Sequence, residues 1–149
     1  RIGYIAFNDS PQLDAIRENL PKLARVRIST NLPVQYAALE SLRGPQDYIG
    51  KFVSEIKTHR DYVIKRLNAM NNITCSNPQG AFYAFPKIEN NKFSSDKDFV
   101  LELLKQKGVL TVHGSGFGTQ YGSGHFRIVY LPNMEILESA MNKIEDFVR

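Results

Sequence analysis

The stretch GHFRIVYLP, residues 124–132, has the pattern of a buried strand with a charged residue near its centre. Side chains alternate along a strand, so Phe126, Ile128 and Tyr130 are predicted to share one face. Arg127 then lies on the opposite face. An arginine on a half-buried strand is costly unless an anion meets its guanidinium, so the sequence poses the question of what Arg127 binds.

Two interpretations of Arg127 follow from the residues alone. In the first, the guanidinium forms a structural ion pair with an aspartate or glutamate of a neighbouring element. In the second, it clamps the carboxylate or phosphate of a ligand, a role that suits the planar fork of arginine better than the ammonium of lysine. Arg127 follows a glycine-rich loop, from which a ligand could reach it. Spacing alone leaves both interpretations open.

The segments around this strand predict a small sheet covered by helices, an α/β or α+β layer. In chain order the predicted strands and helices are ITCS, AFYAFPKI, SSDKDFVLELLKQKG, VLTVHG, HFRIVYLP and NMEILESAMNKIEDFVR. Asp96 and Asp98 are interpreted as the favourable negative charges of a helix N-terminus, and Gly108 ends that helix. The last segment carries one apolar stripe at helical spacing.

The first half of the chain is predicted to be mainly helical. RIGYIAF at its start has the apolar pattern of a strand, a short helix follows until Pro21 interrupts it, and Asn31 caps another. A long amphipathic helix is predicted over residues 46–70, with one apolar face and His59 in solvent. At about 35 Å it exceeds what packing within one compact domain requires, so we expect it to bridge two domains.

Composition excludes several classes of protein. Hydrophobic residues make up 42% and charged residues 23%, as in folded globular chains. No apolar run is long enough to span a membrane. The net charge of +4 comes from residues scattered along the chain, which argues against nucleic-acid binding. Cys75 is the single cysteine and the three histidines lack metal-ligand spacing, so we predict no metal site and a cytoplasmic location.

The loop GSGFGTQYGSG, residues 114–124, is rich in glycine but lacks the signals of a nucleotide site. Its spacing is G-x-G-x-G, a strand follows too soon for the helix that a dinucleotide fingerprint needs, and no G-K-S/T is present. We expect its glycines to permit close backbone approach or positive φ. His113 and His125, at the two borders of the loop, are expected to have structural roles.

Four motifs, in order, resemble the C-terminal part of class I/II pyridoxal-phosphate aminotransferases, the aspartate aminotransferase family of fold type I. RIGY resembles the family's G-(W/Y/F)-R-(I/V)-G-Y run, which closely follows the Schiff-base lysine, and NPQGAFYAFPKI resembles its P-x-G-A-F-Y-x-F-P segment. VHGSGFG resembles its P-G-x-x-F-G, and GHFRIVYLP resembles its G-x-(V/I)-R-(I/L)-(S/C)-(Y/F)-A. STNLPVQYAALESL also lies where the family has S-N-x-x-x-x-Q-x-A-A. The resemblance covers essentially the whole chain.

The resemblance implies roles for two arginines. Arg127 matches the arginine that holds the substrate α-carboxylate, and Arg1 matches one that helps to hold the cofactor phosphate. It implies that residues 1–45 are the tail of a large cofactor-binding domain, residues 46–70 the bridging helix, and residues 71–149 the small domain. The implied protein is a homodimer that binds pyridoxal 5'-phosphate and moves an amino group between an amino acid and a 2-oxo acid.

The catalytic lysine of the family lies upstream of the RIGY motif, so the resemblance places no catalytic residue in this chain. We therefore expect a C-terminal fragment that is inactive alone, an expectation also favoured by its start at Arg1 within an apolar run. His113 replaces the family's usual proline, which bears on loop shape and substrate preference. A carbon–sulfur lyase, an aminocyclopropane-carboxylate synthase-like enzyme and a non-catalytic regulator of the same fold remain alternatives.

Overall fold

The computed structural model describes residues 2–89 and 92–149, and its contacts divide the chain into two units, one up to Gly50 and one from Lys51. The first unit contains a 3-10 turn (Pro11–Leu13), helix α1 (Asp14–Arg25) and helix α2 (Leu32–Arg43). The cap predicted at Asn31 is confirmed, since its side chain accepts a hydrogen bond from the backbone N–H of Val34.

Two predictions for the first unit are wrong. Residues 2–10 form no strand, because a strand needs a neighbour for its backbone hydrogen bonds and this unit has none among its described residues. Pro21 does not end α1, which continues to Arg25. The helix passes the proline with one backbone donor fewer, and an ion pair between Glu18 and Lys22 spans the position.

Helix α3 (Asp47–Asn68) agrees closely with the long helix predicted over residues 46–70. From Ile56 onward it packs on the core through Ile56, Val63 and Leu67, which are buried. The first apolar residues of the predicted face are about half exposed instead, so the buried stripe is shorter than the periodic pattern. These exposed residues are Ile49, Phe52 and Val53.

His59 is buried on α3, and the prediction that it lies in solvent is wrong. Only 4% of it is exposed, and its Nδ1 lies 3.2 Å from the carbonyl oxygen of Tyr130, just after the last strand. The spacing carried this signal, since His59 follows Ile56 by three residues and precedes Val63 by four. It therefore belongs to the apolar stripe of the helix.

The predicted single sheet is two small antiparallel sheets. Strands β1 (Ile73–Thr74) and β3 (Lys87–Ile88) pair in one sheet. Strands β2 (Tyr83–Ala84), β4 (Val112–His113) and β5 (Phe126–Val129) form the other, in the order β2-β5-β4. The predicted strand AFYAFPKI is divided between the two sheets at Pro86, which has no N–H for a ladder.

The second unit has one hydrophobic core, between the three-stranded sheet and helices α3, α4 (Asp96–Lys107) and α6 (Met134–Val148). The alternation predicted for β5 is confirmed, since Phe126 and Ile128 are buried together with Tyr130. Gly108 ends α4 in the left-handed conformation, as predicted. In the described part of the chain, no helix is both long and apolar enough to cross a membrane.

Candidate functional site

Arg127 lies on the central strand of the three-stranded sheet, on the face opposite the core. Two aromatic rings cover its guanidinium: the Cζ atom is 4.7 Å from the centroid of the Tyr83 ring and 4.5 Å from that of Phe117. Tyr83 comes from the neighbouring strand β2, where it pairs with Val129 and is thus a diagonal neighbour of Arg127. Phe117 comes from the glycine-rich loop.

The guanidinium of Arg127 has no anionic partner within residues 2–89 and 92–149. Its Nε is buried and has no hydrogen-bond partner, and no carboxylate forms a salt bridge with the side chain. Nearly all buried donors in proteins have a partner, because an unpaired one costs about 1–3 kcal/mol. The structural ion pair, one of the two interpretations from sequence, is therefore not found in the described chain.

The two rings determine what the guanidinium can bind. Each cation–π contact contributes about 0.5–2 kcal/mol, depending on how far the charge is desolvated. Both rings lie against the guanidinium, and no carboxylate of the described residues pairs with it. This arrangement suits a planar acceptor such as a carboxylate, which takes two parallel hydrogen bonds from one arginine.

The glycine-rich loop contains two single turns, a 3-10 turn η2 (Gly114–Phe117) and a one-turn helix α5 (Thr119–Gly122). Neither turn has the length of a nucleotide-binding helix, in agreement with the prediction that the strand follows too soon for one. Gly114 and Gly122 bring the two turns together, as expected for close backbone approach. A Cβ on Gly122 would lie 2.0 Å from the carbonyl oxygen of Gly114.

Replacing Gly122 with alanine is expected to lower the free energy of unfolding by about 2–3 kcal/mol, because the added methyl would overlap backbone that cannot move away cheaply. Gly80→Ala is the matched control, since a Cβ there meets no atom within 4 Å and its φ is not positive. Urea unfolding followed by far-ultraviolet circular dichroism measures both variants. Equal midpoints for the two would contradict the close approach.

Asp96 joins helix α4 to the glycine-rich loop, which the sequence did not predict. Its Oδ2 accepts a 2.6 Å hydrogen bond from the backbone N–H of Ser115, and the residue is 6% exposed. The cap of α4 is Ser95, whose Oγ accepts from the N–H of Asp98 and donates to its carboxylate. The S-x-x-D spacing of that pair was the available signal that Asp96 is free for another contact.

The two histidines beside the loop have local partners. His113 Nδ1 accepts a 3.2 Å hydrogen bond from the N–H of Gly116 and lies 3.0 Å from Ser115 Oγ. His125 stacks on Phe85, with 5.1 Å between ring centroids. The described residues contain no group of three or more histidine, cysteine, aspartate or glutamate side chains that could hold a metal ion.

Arg1, the residue matched to the cofactor phosphate, lies outside the described residues.

The family model for aminotransferase class I and II matches residues 1–144. Glutamate-pyruvate aminotransferase AlaA of Haemophilus influenzae is 40% identical over 136 residues, which are 88% of this chain and 33% of that protein. Aspartate/prephenate aminotransferase of Cereibacter sphaeroides is 38% identical over 122 residues, 76% of this chain and 30% of that protein.

Solved structures give the same result. An alanine aminotransferase from Pyrococcus furiosus has a TM-score of 0.89 and 49% identity, covering 95% of this chain and 36% of its own. An aminotransferase from Escherichia coli has a TM-score of 0.83 and 31% identity, with the same coverage. The chain thus spans about a third of the length of the relatives that it matches.

Proposed function

The chain belongs to the class I and II aminotransferases, and from this premise we propose that it is the C-terminal portion of an enzyme that moves an amino group between an amino acid and a 2-oxo acid. The family predicted from the four motifs is confirmed, and its solved relatives share the fold. The activity of the whole protein, its substrates and the role of Arg127 remain parts of the proposal.

The environment of Arg127 is the observation that carries the proposal. Every substrate of such a reaction has an α-carboxylate, and the guanidinium offers in-plane donors with no protein anion among the described residues. A two-point, charge-assisted contact would fix the substrate in one orientation. The same contact would serve the amino acid and the 2-oxo acid, because both carry the group that Arg127 binds.

The family implies pyridoxal phosphate, which supplies an electron sink when bound. The residues of this chain would act at the substrate end of the site. Arg127 would hold and orient the carboxylate, and Arg1 would help to hold the cofactor phosphate. The donor set around Arg127 fits a carboxylate ligand, and the contact with the cofactor rests on the resemblance at Arg1.

We further propose that the helix α3 bridges a large domain, which residues 1–45 would complete, and a small domain formed by residues 71–149. The boundary between the two units of the structure, after Gly50, falls within α3 and supports this division. The proposed whole protein is a cytoplasmic homodimer, in keeping with the family resemblance.

The substrates must be chosen by assay, because the relatives differ in the substrates that their names print. Glutamate with pyruvate is the first pair to test, since AlaA of Haemophilus influenzae is a glutamate-pyruvate aminotransferase and the Pyrococcus furiosus structure is an alanine aminotransferase. Aspartate and an aromatic amino acid are the next donors, after the aspartate/prephenate and aromatic relatives.

The test uses the longer protein that carries this chain, purified with pyridoxal phosphate. Single amino acids are added without a 2-oxo acid, and the cofactor absorption is followed together with the release of the matching 2-oxo acid. Stoichiometric release supports the proposal and identifies the donor. A protein that binds the cofactor and releases ammonia, or that never converts an amino acid, would favour the lyase or the regulator and overturn the transaminase.

The 149-residue chain by itself is expected to form no stoichiometric, borohydride-trapped adduct with pyridoxal phosphate, because the family's lysine lies upstream of the RIGY motif. Mass spectrometry after borohydride reduction measures the adduct, with the longer protein as the positive control. One lysine of the short chain modified to completion would refute this expectation.

A further inference from the structure

We propose that Asp96 is a positioning residue for Arg127: its carboxylate holds the η2 turn so that Phe117 covers one face of the guanidinium. The consequence for substrate binding rests on the function proposed above, whereas the structural claim can be tested in this chain alone.

The anchor is a short hydrogen bond made by the buried carboxylate of Asp96. Asp96 Oδ2 and the backbone nitrogen of Ser115 are 2.6 Å apart, at the junction of α4 and η2. Burial alone would raise the pKa of Asp96, but hydrogen bonds from the backbone and side chain of Ser115 outweigh it, so the pKa lies below its usual value. The carboxylate is therefore charged near neutral pH, and its hydrogen bond to the turn is charge-assisted.

A second hydrogen bond holds the next residue of the turn. The Nδ1 of His113 accepts from the N–H of Gly116, the residue directly before Phe117. A proline, which the family usually has at this position, could not accept that hydrogen bond. The two contacts fix consecutive backbone N–H groups, those of Ser115 and Gly116, and thereby the direction in which the chain enters Phe117.

The ring of Phe117 depends on the turn for its place. Phe117 is 53% exposed. Its ring contacts the guanidinium of Arg127 and the ring of Phe85, whose centroid is 6.0 Å away. Tyr83, the second ring against the guanidinium, is held by the sheet instead. One cover of Arg127 is thus fixed by strand pairing and the other by the turn that Asp96 anchors.

Asp98 provides a matched control. It stands two residues further along the first turn of α4, is exposed, and makes its contacts with Ser95 and not with the glycine-rich loop. Asp96→Ala and Asp98→Ala each remove one favourable charge from the same helix N-terminus. A general effect on α4 would appear in both variants, and an effect on Arg127 in the first alone.

The first experiment observes the Nε–Hε nuclear magnetic resonance signal of Arg127 in the 149-residue chain. Burial of Nε slows its exchange with water, and Arg127→Lys assigns the signal by removing it. Phe117→Leu calibrates the ring-current displacement that Phe117 causes. We expect Asp96→Ala to move the signal most of the way toward its Phe117→Leu position, Asp96→Asn to move it part of the way, and Asp98→Ala to leave it in place.

The second experiment measures kinetics in the longer protein. Asp96→Ala is expected to raise the KM for the 2-oxo acid about tenfold and to change kcat less than about twofold, because a misplaced Arg127 binds ground state and transition state equally less well. Asp96→Asn, which retains an acceptor oxygen, is expected to restore part of the affinity. Asp98→Ala is expected to leave both constants unchanged.

An unmoved Arg127 signal in a folded Asp96→Ala chain overturns the positioning role, whatever the enzyme does. Movement in Asp98→Ala as large as in Asp96→Ala overturns it also, since the effect would then belong to the helix. The signal needs neither cofactor nor substrate, so it still decides the role of Asp96 if the longer protein fails to transfer amino groups.

Discussion

Replacing Arg127 with leucine is expected to lower kcat/KM of the longer protein by about 10²–10⁴-fold. Hydrogen bonds to charged groups each contribute about 1.5–3 kcal/mol, and a bidentate carboxylate loses two of them. Most of the loss is expected in the KM for both the amino acid and the 2-oxo acid, since the carboxylate is bound throughout the reaction. Steady-state kinetics with each substrate varied in turn measures the effect.

The same substitution separates binding from structure. Leucine would keep an apolar side chain near the rings of Tyr83 and Phe117, and it would remove a buried Nε that has no partner in the described chain. We therefore expect the urea midpoint of the 149-residue chain to stay within the equivalent of about 1 kcal/mol of the original. A structural ion pair would behave differently, because its loss strands a charged partner and destabilises the fold.

Arg127→Lys is the conservative comparison. It keeps the positive charge but replaces the planar fork by a single ammonium. We therefore expect kcat/KM to fall, but by less than in Arg127→Leu. A leucine variant that retains its affinity for 2-oxo acids, or that loses stability and affinity together, would contradict the proposed clamp.

The sequence predicted well those features that depend on local patterns. The alternation along β5, the cap at Asn31 and the glycine that ends α4 all follow from backbone geometry over a few residues, and all are confirmed. Each of these features depends only on residues within the same turn or strand. Arg127 was noticed for the same reason, because a charge within an apolar alternation is a local signal.

The failures share a dependence on distant residues. RIGYIAF has the pattern of a strand, but a strand forms only beside a partner, and the described part of its unit provides none. The aromatic cover of Arg127 comes from Tyr83 and Phe117, which no spacing rule brings together. The contact between Asp96 and Ser115 likewise depends on how α4 meets the loop, which becomes visible only in the folded chain.

The largest effect on stability is expected from Phe99→Ala. Phe99 is fully buried on α4, and its ring lies 4.9 Å from that of Phe126 on β5 and 5.4 Å from that of Phe147 on α6, measured between centroids. It therefore joins two helices to the strand that carries Arg127. Truncating a buried phenylalanine removes its transfer free energy and leaves a cavity, at a cost of about 3–5 kcal/mol.

Leu101→Ala is the matched control, because Leu101 lies on the same helix but is 51% exposed. Leu101→Ala is expected to lower the free energy of unfolding by less than about 1 kcal/mol. Both substitutions introduce alanine and so raise the helix propensity of α4. Urea unfolding by far-ultraviolet circular dichroism compares the two at equal m values. Similar losses in both variants would show that the core does not centre on Phe99.

The position of Phe126 gives this result a second consequence. Phe126 and Arg127 are neighbours on one strand with opposite faces, so the packing that holds Phe126 against Phe99 also fixes the backbone from which the guanidinium extends. In a Phe99→Ala chain that is still folded, the Nε–Hε signal of Arg127 is expected to broaden or move, whereas Leu101→Ala leaves it unchanged. A sharp, unmoved signal would mean that the face of the sheet that carries Arg127 is held independently of the core beneath it.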